Sequence, residues 1–346
     1  MIGRFELAPG YDISRVVHGG WQFSAGHRAG GTDLEMALEV LVESADLGVT
    51  TFDCADIYTG VEELYGRFLR RWRTTSAARP IQIHTKFVPD ASDLPRVDRA
   101  YVERIVDRSL SRLGVERLDL VQFYWWRDDV PGMEQAARWL ADLQQEGKIR
   151  HLGVTNMDVA HLRRLEEARV RMVSNQVQYS ALDRRPEHGL ADWCARREMR
   201  VIAFGSLAGG FLTDRWLGRP DPAIHDNRSL TKYRLVIDEF GGWAAHQALL
   251  RELAAIGEAH GVETSAVAIR FVLEQPSVAA VIAGATRPGQ MARNLGAGAF
   301  ELTSEDHVRI RRLTDASPGP AGDVFELERD RDGPHGRIMK YDLNRA

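Results

Sequence analysis

Eight short runs rich in branched and aromatic residues recur along this chain, each followed by a segment with helical periodicity: 13–18, 49–53, 81–87, 118–125, 149–155, 172–179, 200–206 and 278–283. Behind the first run, Leu34, Ala37, Leu38, Leu41, Val42 and Ala45 fall at i, i+3, i+4, i+7 spacing. Thr32 is the expected N-cap of that helix, and Gly48 stands where a C′ glycine ends it. Tyr101, Val102, Ile105, Val106, Ser109, Leu110 and Leu113 make a second stripe closed by Gly114. Met133, Ala136, Ala137, Leu140 and Leu143 make a third, closed by Gly147. Strands linked by helical crossovers must run parallel, and eight such units are the number that closes a (β/α)₈ or TIM barrel, an α/β fold.

Size and charge agree with one such domain over 1–346. The chain has 346 residues, 44% of them hydrophobic, enough for a large core. Its 45 basic and 49 acidic residues leave a net charge of -4, so no overall field draws nucleic acid or an anionic membrane, and the expected partner is a small-molecule substrate. Cys54 and Cys194 lie far apart without metal-type spacing, which fits a reducing compartment rather than a disulfide framework. The opening residues Met1 to Glu6 lack an apolar leader core, and no run approaches ~18 apolar residues. The expected location is cytoplasmic.

Three segments stand outside the repeat. Residues 5–13 read as a hairpin turning at Pro9-Gly10, a plug for the barrel's N-terminal mouth. Residues 213–242, polar with Pro220, Pro222 and Gly241-Gly242, read as an inserted loop over the opposite, active face. Residues 317–346, rich in Asp, Arg, Gly and Pro, read either as a second active-face loop or as a mobile terminus.

Barrel enzymes carry reactive groups at the C-terminal ends of their strands. Asp53, Lys86 and Tyr124 hold such positions, and Tyr58 follows Asp53 on the adjoining loop. A phenol is a weak acid, but an ammonium beside it favours the phenolate, and a carboxylate can hold that ammonium in place. The histidines form no metal motif, and no G-x-G-x-x-G follows a strand, so neither a metal site nor a Rossmann dinucleotide site is expected.

The run Thr51-Phe52-Asp53-Cys54-Ala55-Asp56-Ile57-Tyr58 is similar to the first signature of the aldo-keto reductases, with Glu62 to Leu69 following as its helix. Gly153-Val154-Thr155-Asn156, Asn175-Gln176-Val177-Gln178-Tyr179, Pro276-Ser277-Val278 and Ile282-Ala283-Gly284-Ala285-Thr286 resemble further motifs of that family in the same order. The spacing from Gly284 through Arg287-Pro288-Gly289-Gln290 to Asn294 resembles the branch related to potassium-channel β subunits.

This resemblance implies an NADPH-dependent oxidoreductase. Tyr58 would protonate a carbonyl oxygen while the nicotinamide delivers hydride, with Lys86 and Asp53 lowering the tyrosine's pKa. Thr155, Asn156 and Gln176 would hold the carboxamide, Phe204 would cover the ring, and Gly205 would allow close backbone approach. Gly20, Trp21, Asp53, Ser206, Leu207, Gly284 and Thr286 complete the implied cofactor contacts, and Arg287, Gln290, Arg293 and Asn294 would hold the adenosine 2′-phosphate. Trp21, Tyr58, Tyr124 and Trp125 would wall the substrate pocket, with Trp126 turned away if strand alternation holds.

Tyr124 departs from the family pattern, which has histidine there. Three readings are open: a replacement donor to the substrate oxygen, a change of reaction toward C=N or C=C reduction or oxidation, and lost catalysis. The last favours a nicotinamide-binding regulatory protein with little turnover over an enzyme.

Overall fold

The computed structural model describes residues 3–25, 33–75, 79–222 and 227–344. An antiparallel hairpin, β1 (Arg4–Ala8) and β2 (Tyr11–Ser14), precedes eight parallel strands: β3 (Val16–Gly19), β4 (Thr51–Asp53), β5 (Gln82–Phe87), β6 (Leu118–Phe123), β7 (Ile149–Thr155), β8 (Ser174–Gln178), β9 (Arg200–Phe204) and β10 (Val278–Gly284). They close in sequence order, with β10 pairing back to β3, so the expected (β/α)₈ barrel is the fold. The helices are α1 (Leu34–Asp46), α2 (Val61–Arg73), α3 (Arg99–Leu113), α4 (Met133–Gln145), α5 (Val159–Glu167), α6 (Leu190–Ala195), α7 (Arg228–Phe240), α8 (Gly242–His260), α9 (Thr264–Leu273), α10 (Gln290–Leu295) and α11 (Ser304–Asp315). Two short C-terminal helices follow, α12 (Glu326–Arg329) and α13 (Pro334–Arg337).

The first expected strand is in fact two. Ile13 and Ser14 finish the hairpin, and only Val16 onward joins the barrel. Arg15 sets the break: its guanidinium donates to the carbonyls of Leu273 (2.6 Å), Val278 and Ala279, which holds the corner against β10. The Thr32 cap lies outside the described residues. Asp33 caps α1 instead, accepting from Glu35 N, and Gly48 follows the helix with φ 101°.

The hairpin plugs the barrel. Leu7, Ala8, Tyr11 and Ile13 form one buried cluster with Val17, Leu120, Ile202 and Ala280 of the strands. The Tyr11 hydroxyl hydrogen-bonds His84 Nε2 at 3.1 Å, pairing a buried polar group that would otherwise weaken the mouth.

Residues 213–242 carry the 13-residue helix α7 rather than an irregular loop throughout. Asn227 caps it, accepting from the Ser229 and Leu230 amides, and Tyr233, Val236, Ile237 and Phe240 give it a buried stripe. Of 317–346, the described part crosses the C-terminal face of the barrel and is fastened in its middle and near its end. Glu328, fully buried, pairs with Arg185 (3.2 Å) and Lys232 (3.1 Å). The amides of Leu343 and Asn344 both donate to Asp90 Oδ1 at 2.8 Å.

Burial pushes two interior imidazoles far down, His84 to about 3 and His18 to about 4. Both stay neutral in the folded barrel, while in the unfolded chain they take up protons below about pH 6.5. Their contribution is therefore complete above that pH and is lost as pH falls toward 4, at up to about 1.4 kcal/mol per pH unit for each group. Urea midpoints should drop between pH 7.5 and 4.5, and His84→Gln should flatten that slope. An unchanged slope in the variant would contradict the assignment.

Candidate active site

Strand register brings polar side chains to one end of a barrel that is otherwise apolar. Asp53 pairs in register with Gly19 and His84, Lys86 with Gln122, and Thr155 with Gln176. The C-terminal strand ends, α7 and the C-terminal segment enclose a cavity of about 640 Å³. Asp53, Tyr58, Lys86, Tyr124 and Trp126 line one end, and Thr286, Gln290, Arg293 and Asn294 the other.

At the floor, Lys86 Nζ donates to Asp53 Oδ2 (2.7 Å) and to the Cys54 carbonyl (2.8 Å). Asp53 Oδ1 accepts from Gln122 Nε2 (3.0 Å) and Gln176 Nε2 (2.6 Å). Both carboxylate oxygens thus accept hydrogen bonds and the ammonium donates to two acceptors, the condition under which a buried ion pair is tolerated. Burial works against the Lys86 charge, but Asp53, by its charge and its hydrogen bond, together with Tyr58 and Cys54 outweighs it and raises the pKa above the ordinary lysine value. Gln122, absent from the sequence expectations, was visible as the one amide among the mostly apolar residues of β6.

Tyr58 lies over this pair, with Lys86 Nζ 4.9 Å from its ring centroid. Burial raises its pKa, the Lys86 ammonium lowers it and the Asp53 carboxylate raises it, and the phenol settles at about 12. The expected net lowering is therefore absent in this state: desolvation outweighs the ammonium, and Asp53 acts as a like charge on the phenolate. The phenol stays protonated through the neutral range and can give up a proton. Trp21 walls it, with ring centroids 4.7 Å apart.

Tyr124 sits differently from the donor expected. Its ring lines the cavity, but its hydroxyl is shielded and makes no hydrogen bond of standard geometry among the described residues, the Arg329 guanidinium being the polar group that acts on it. The ring packs edge-on against Trp126 and Phe325 and lies 6.0 Å from the Arg329 guanidinium. Burial, partly offset by Arg329, pushes this phenol to about 12. The two tryptophans exchange their expected places. Trp125 is buried away from the cavity, donating to the Val130 carbonyl at 2.9 Å, whereas Trp126 lines it. β6 ends at Phe123, so strand alternation with its period of two does not reach either ring.

Other expected cofactor residues divide. Trp21, Thr155, Asn156, Gln176, Phe204, Ser206, Leu207 and Gly284 line the cavity; Gly20 lies beneath it, where a Cβ would meet the Tyr65 hydroxyl at 2.7 Å. Gly205 (φ 73°) also lines the cavity, yet its close neighbour is the Tyr233 hydroxyl, 2.5 Å from where a Cβ would stand. At the far end, Arg287 is exposed and outside the lining. Arg293 lines it and pairs with Glu263 at 3.4 Å. Gln290 Oε1 accepts from the amides of Thr286 (2.7 Å) and Arg287 (3.0 Å). No His, Cys, Asp and Glu group of three or more could hold a metal ion among the described residues, and no described helix is long and apolar enough to cross a membrane.

A sequence model of the aldo/keto reductase family matches residues 15–315. L-glyceraldehyde 3-phosphate reductase of Escherichia coli O157:H7 is 31% identical over 284 residues, covering 76% of this chain and 79% of its own. An aldo-keto reductase of Schizosaccharomyces pombe, named for NADP(+), is 27% identical over 306 residues, covering 83% and 87%. The solved glycerol dehydrogenase of Gluconobacter oxydans superposes with a TM-score of 0.76 at 26% identity, covering 90% of this chain and 95% of that one. The closed barrel, its plug and a family match over most of the sequence lead to one assignment: the chain belongs to the aldo/keto reductase family.

Proposed function

We propose that this protein is an NADPH-dependent oxidoreductase that reduces a carbonyl-type small molecule, with Tyr58 as the proton donor. The observation that carries this reading is the fully paired Lys86–Asp53 couple beneath a protonated, cavity-facing tyrosine. When bound, NADPH supplies the hydride. The residues present fit it: the cavity runs from Tyr58 to Arg293, Phe204 offers a flat face, and the buried Ser206 hydroxyl has no partner among the described residues. Thr155, Asn156 and Gln176 would orient the ring, since an amide with both donor and acceptor satisfied presents a single face. Asn156 is held for this with φ 56°, its amide donating to the Gln176 carbonyl at 2.9 Å.

In the reduction, Tyr58 gives its proton to the substrate oxygen, and the Lys86 ammonium stabilises the phenolate left behind. Asp53 holds Lys86 charged and in place. Tyr124 serves as wall in this account, because its hydroxyl is shielded. The spacing from Gly284 to Asn294 supports placement near the potassium-channel β-subunit branch, and the intact Asp53, Tyr58 and Lys86 set favours an enzyme over a sensor.

Tyr58→Phe keeps the ring and removes the donor, so NADPH binding should persist while carbonyl reduction falls by ~10²–10⁴-fold. Tyr124→Phe should stay within a few-fold of the parent, whereas loss of an oxyanion donor would cost ~10²–10³-fold. Steady-state turnover of both variants on an aldehyde panel decides these roles. Parent-like reduction by Tyr58→Phe would overturn the proposed chemistry.

At the adenosine end, one charge-assisted hydrogen bond contributes roughly 1.5–3 kcal/mol. Arg293→Ala should therefore weaken NADPH by about tenfold or more and leave NADH nearly unchanged, as read by fluorescence titration. Equal losses for the two cofactors would remove Arg293 from 2′-phosphate recognition.

A further inference from the structure

Two of the non-glycine residues held left-handed among the described residues line the cavity, Asn156 (φ 56°) and Phe325 (φ 62°). Such backbone persists only where its surroundings over-determine it, and it gathers at functional sites. One short helix joins the two. Phe325 immediately precedes α12, and Arg329 at the end of α12 donates through Nη2 to the Asn156 carbonyl at 2.6 Å. Through Nη1 the same guanidinium donates to Asp158 Oδ2 at 2.9 Å, and it also acts on the Tyr124 hydroxyl. Asp158 in turn caps α5, where its Oδ1 accepts from the His161 amide at 3.0 Å. The Asn156 amide donates to the Gln176 carbonyl at 2.9 Å. The turn between β7 and α5 is thus gripped by β8, by its own helix and by the C-terminal segment, whose contact comes from 173 residues along the chain. A guanidinium is suited to this, because its planar fork serves two acceptors in a fixed relative geometry. Both acceptors here belong to one turn, and the buried Glu328 beside Arg329, held by Arg185 and Lys232, fixes where the fork is delivered.

We propose that Arg329 is a positioning residue that sets the Thr155–Asn156 turn for the nicotinamide carboxamide, so that the cofactor site is complete only with the C-terminal segment docked. This rests on the NADPH reading above. Arg329 lies outside the cavity lining and touches neither cofactor nor substrate in this account. It acts through the Asn156 carbonyl, whose hold decides where the Asn156 side chain stands. The segment that covers the cavity thereby takes part in orienting the cofactor.

The test compares NADP+ with its 3-acetylpyridine analogue, which has the same phosphates and adenine but a methyl ketone in place of the amide, and so no N–H to donate. By calorimetry the parent should bind NADP+ roughly tenfold or more tightly than the analogue. Arg329→Met should cut that ratio to about threefold or less by weakening NADP+ alone. Arg329→Lys keeps a charge beside Asp158 but lacks the fork, so its ratio should fall between the two. In single turnover with NADPH saturating, Arg329→Met should slow reduction of an aldehyde by roughly tenfold or more. The steady-state KM for that aldehyde should stay within about threefold of the parent. Equal losses for the two nucleotides would make Arg329 a fastening of the cover and overturn the proposal. So would an undiminished ratio in Arg329→Met, or a raised aldehyde KM with the single-turnover rate kept, which would assign the guanidinium to the substrate. A parent that binds neither nucleotide, or both alike, fails at the NADPH reading itself and takes the proposal with it. Should Arg329→Met not fold, the same comparison is read on Arg329→Lys.

Discussion

The buried contact between Lys86 and Asp53 is the interaction around which the open end of this barrel is arranged. Both side chains are about 4% exposed and 2.7 Å apart. Taking two charges out of water costs several kcal/mol each, and an apolar pair of similar size would stabilise the barrel at least as well. Removing one partner is far worse, at about 3–5 kcal/mol, because the other charge is left alone. The surrounding residues answer that constraint. Gln122 and Gln176 fill one carboxylate oxygen, the Cys54 carbonyl takes a second ammonium proton, and Tyr58 occupies the remaining side. A barrel needs none of this to fold. A proton donor fixed beside a permanent positive charge does need it.

A second set of buried charges governs what covers that floor. Asp183, Arg185 and Glu328 are almost wholly excluded from water, and Lys232 nearly so. Glu328 belongs to the C-terminal segment, Lys232 to α7, and Asp183 and Arg185 to the loop after β8. Three pieces far apart in sequence are thereby locked over one cavity. Lys232 lies 5.4 Å from the ring centroids of both Phe204 and Phe325, extending the same lock to two walls. Arg329 adds a further tie, donating to Asp158 Oδ2 (2.9 Å) and the Asn156 carbonyl (2.6 Å), the residue held left-handed at the cavity edge. The cover is thus electrostatically fastened, and its packing against Tyr124 shields that hydroxyl.

The legible and illegible parts of this protein follow from the range of the interactions involved. Strands and crossover helices show locally, since periods of two and 3.6 and glycines such as Gly48 and Gly114 are written within a few residues. Asp53, Tyr58 and Lys86 were recoverable because each stands at or just beyond the end of such a run. Where a strand stops early, alternation no longer places side chains: β6 ends at Phe123, and Trp126 rather than Trp125 lines the cavity. The corner at Arg15 was hidden because its partners lie more than 250 residues away. Lys232, Phe325 and Arg329 had no local signal, as nothing near them in sequence tells where α7 or the C-terminal segment docks. Tyr58's high pKa was likewise invisible, because burial is a property of the assembled site.

The central claim, that the Lys86–Asp53 pair empowers Tyr58, is tested most directly by single-turnover oxidation of bound NADPH in Lys86→Met on an aldehyde that the parent reduces. NADPH affinity within a few-fold of the parent would show that the barrel and its cofactor cavity persist. With that in place, the account predicts a fall of ~10²–10⁴-fold in the rate of reduction, the range for loss of acid catalysis. A parent-like rate with NADPH fully bound would contradict it.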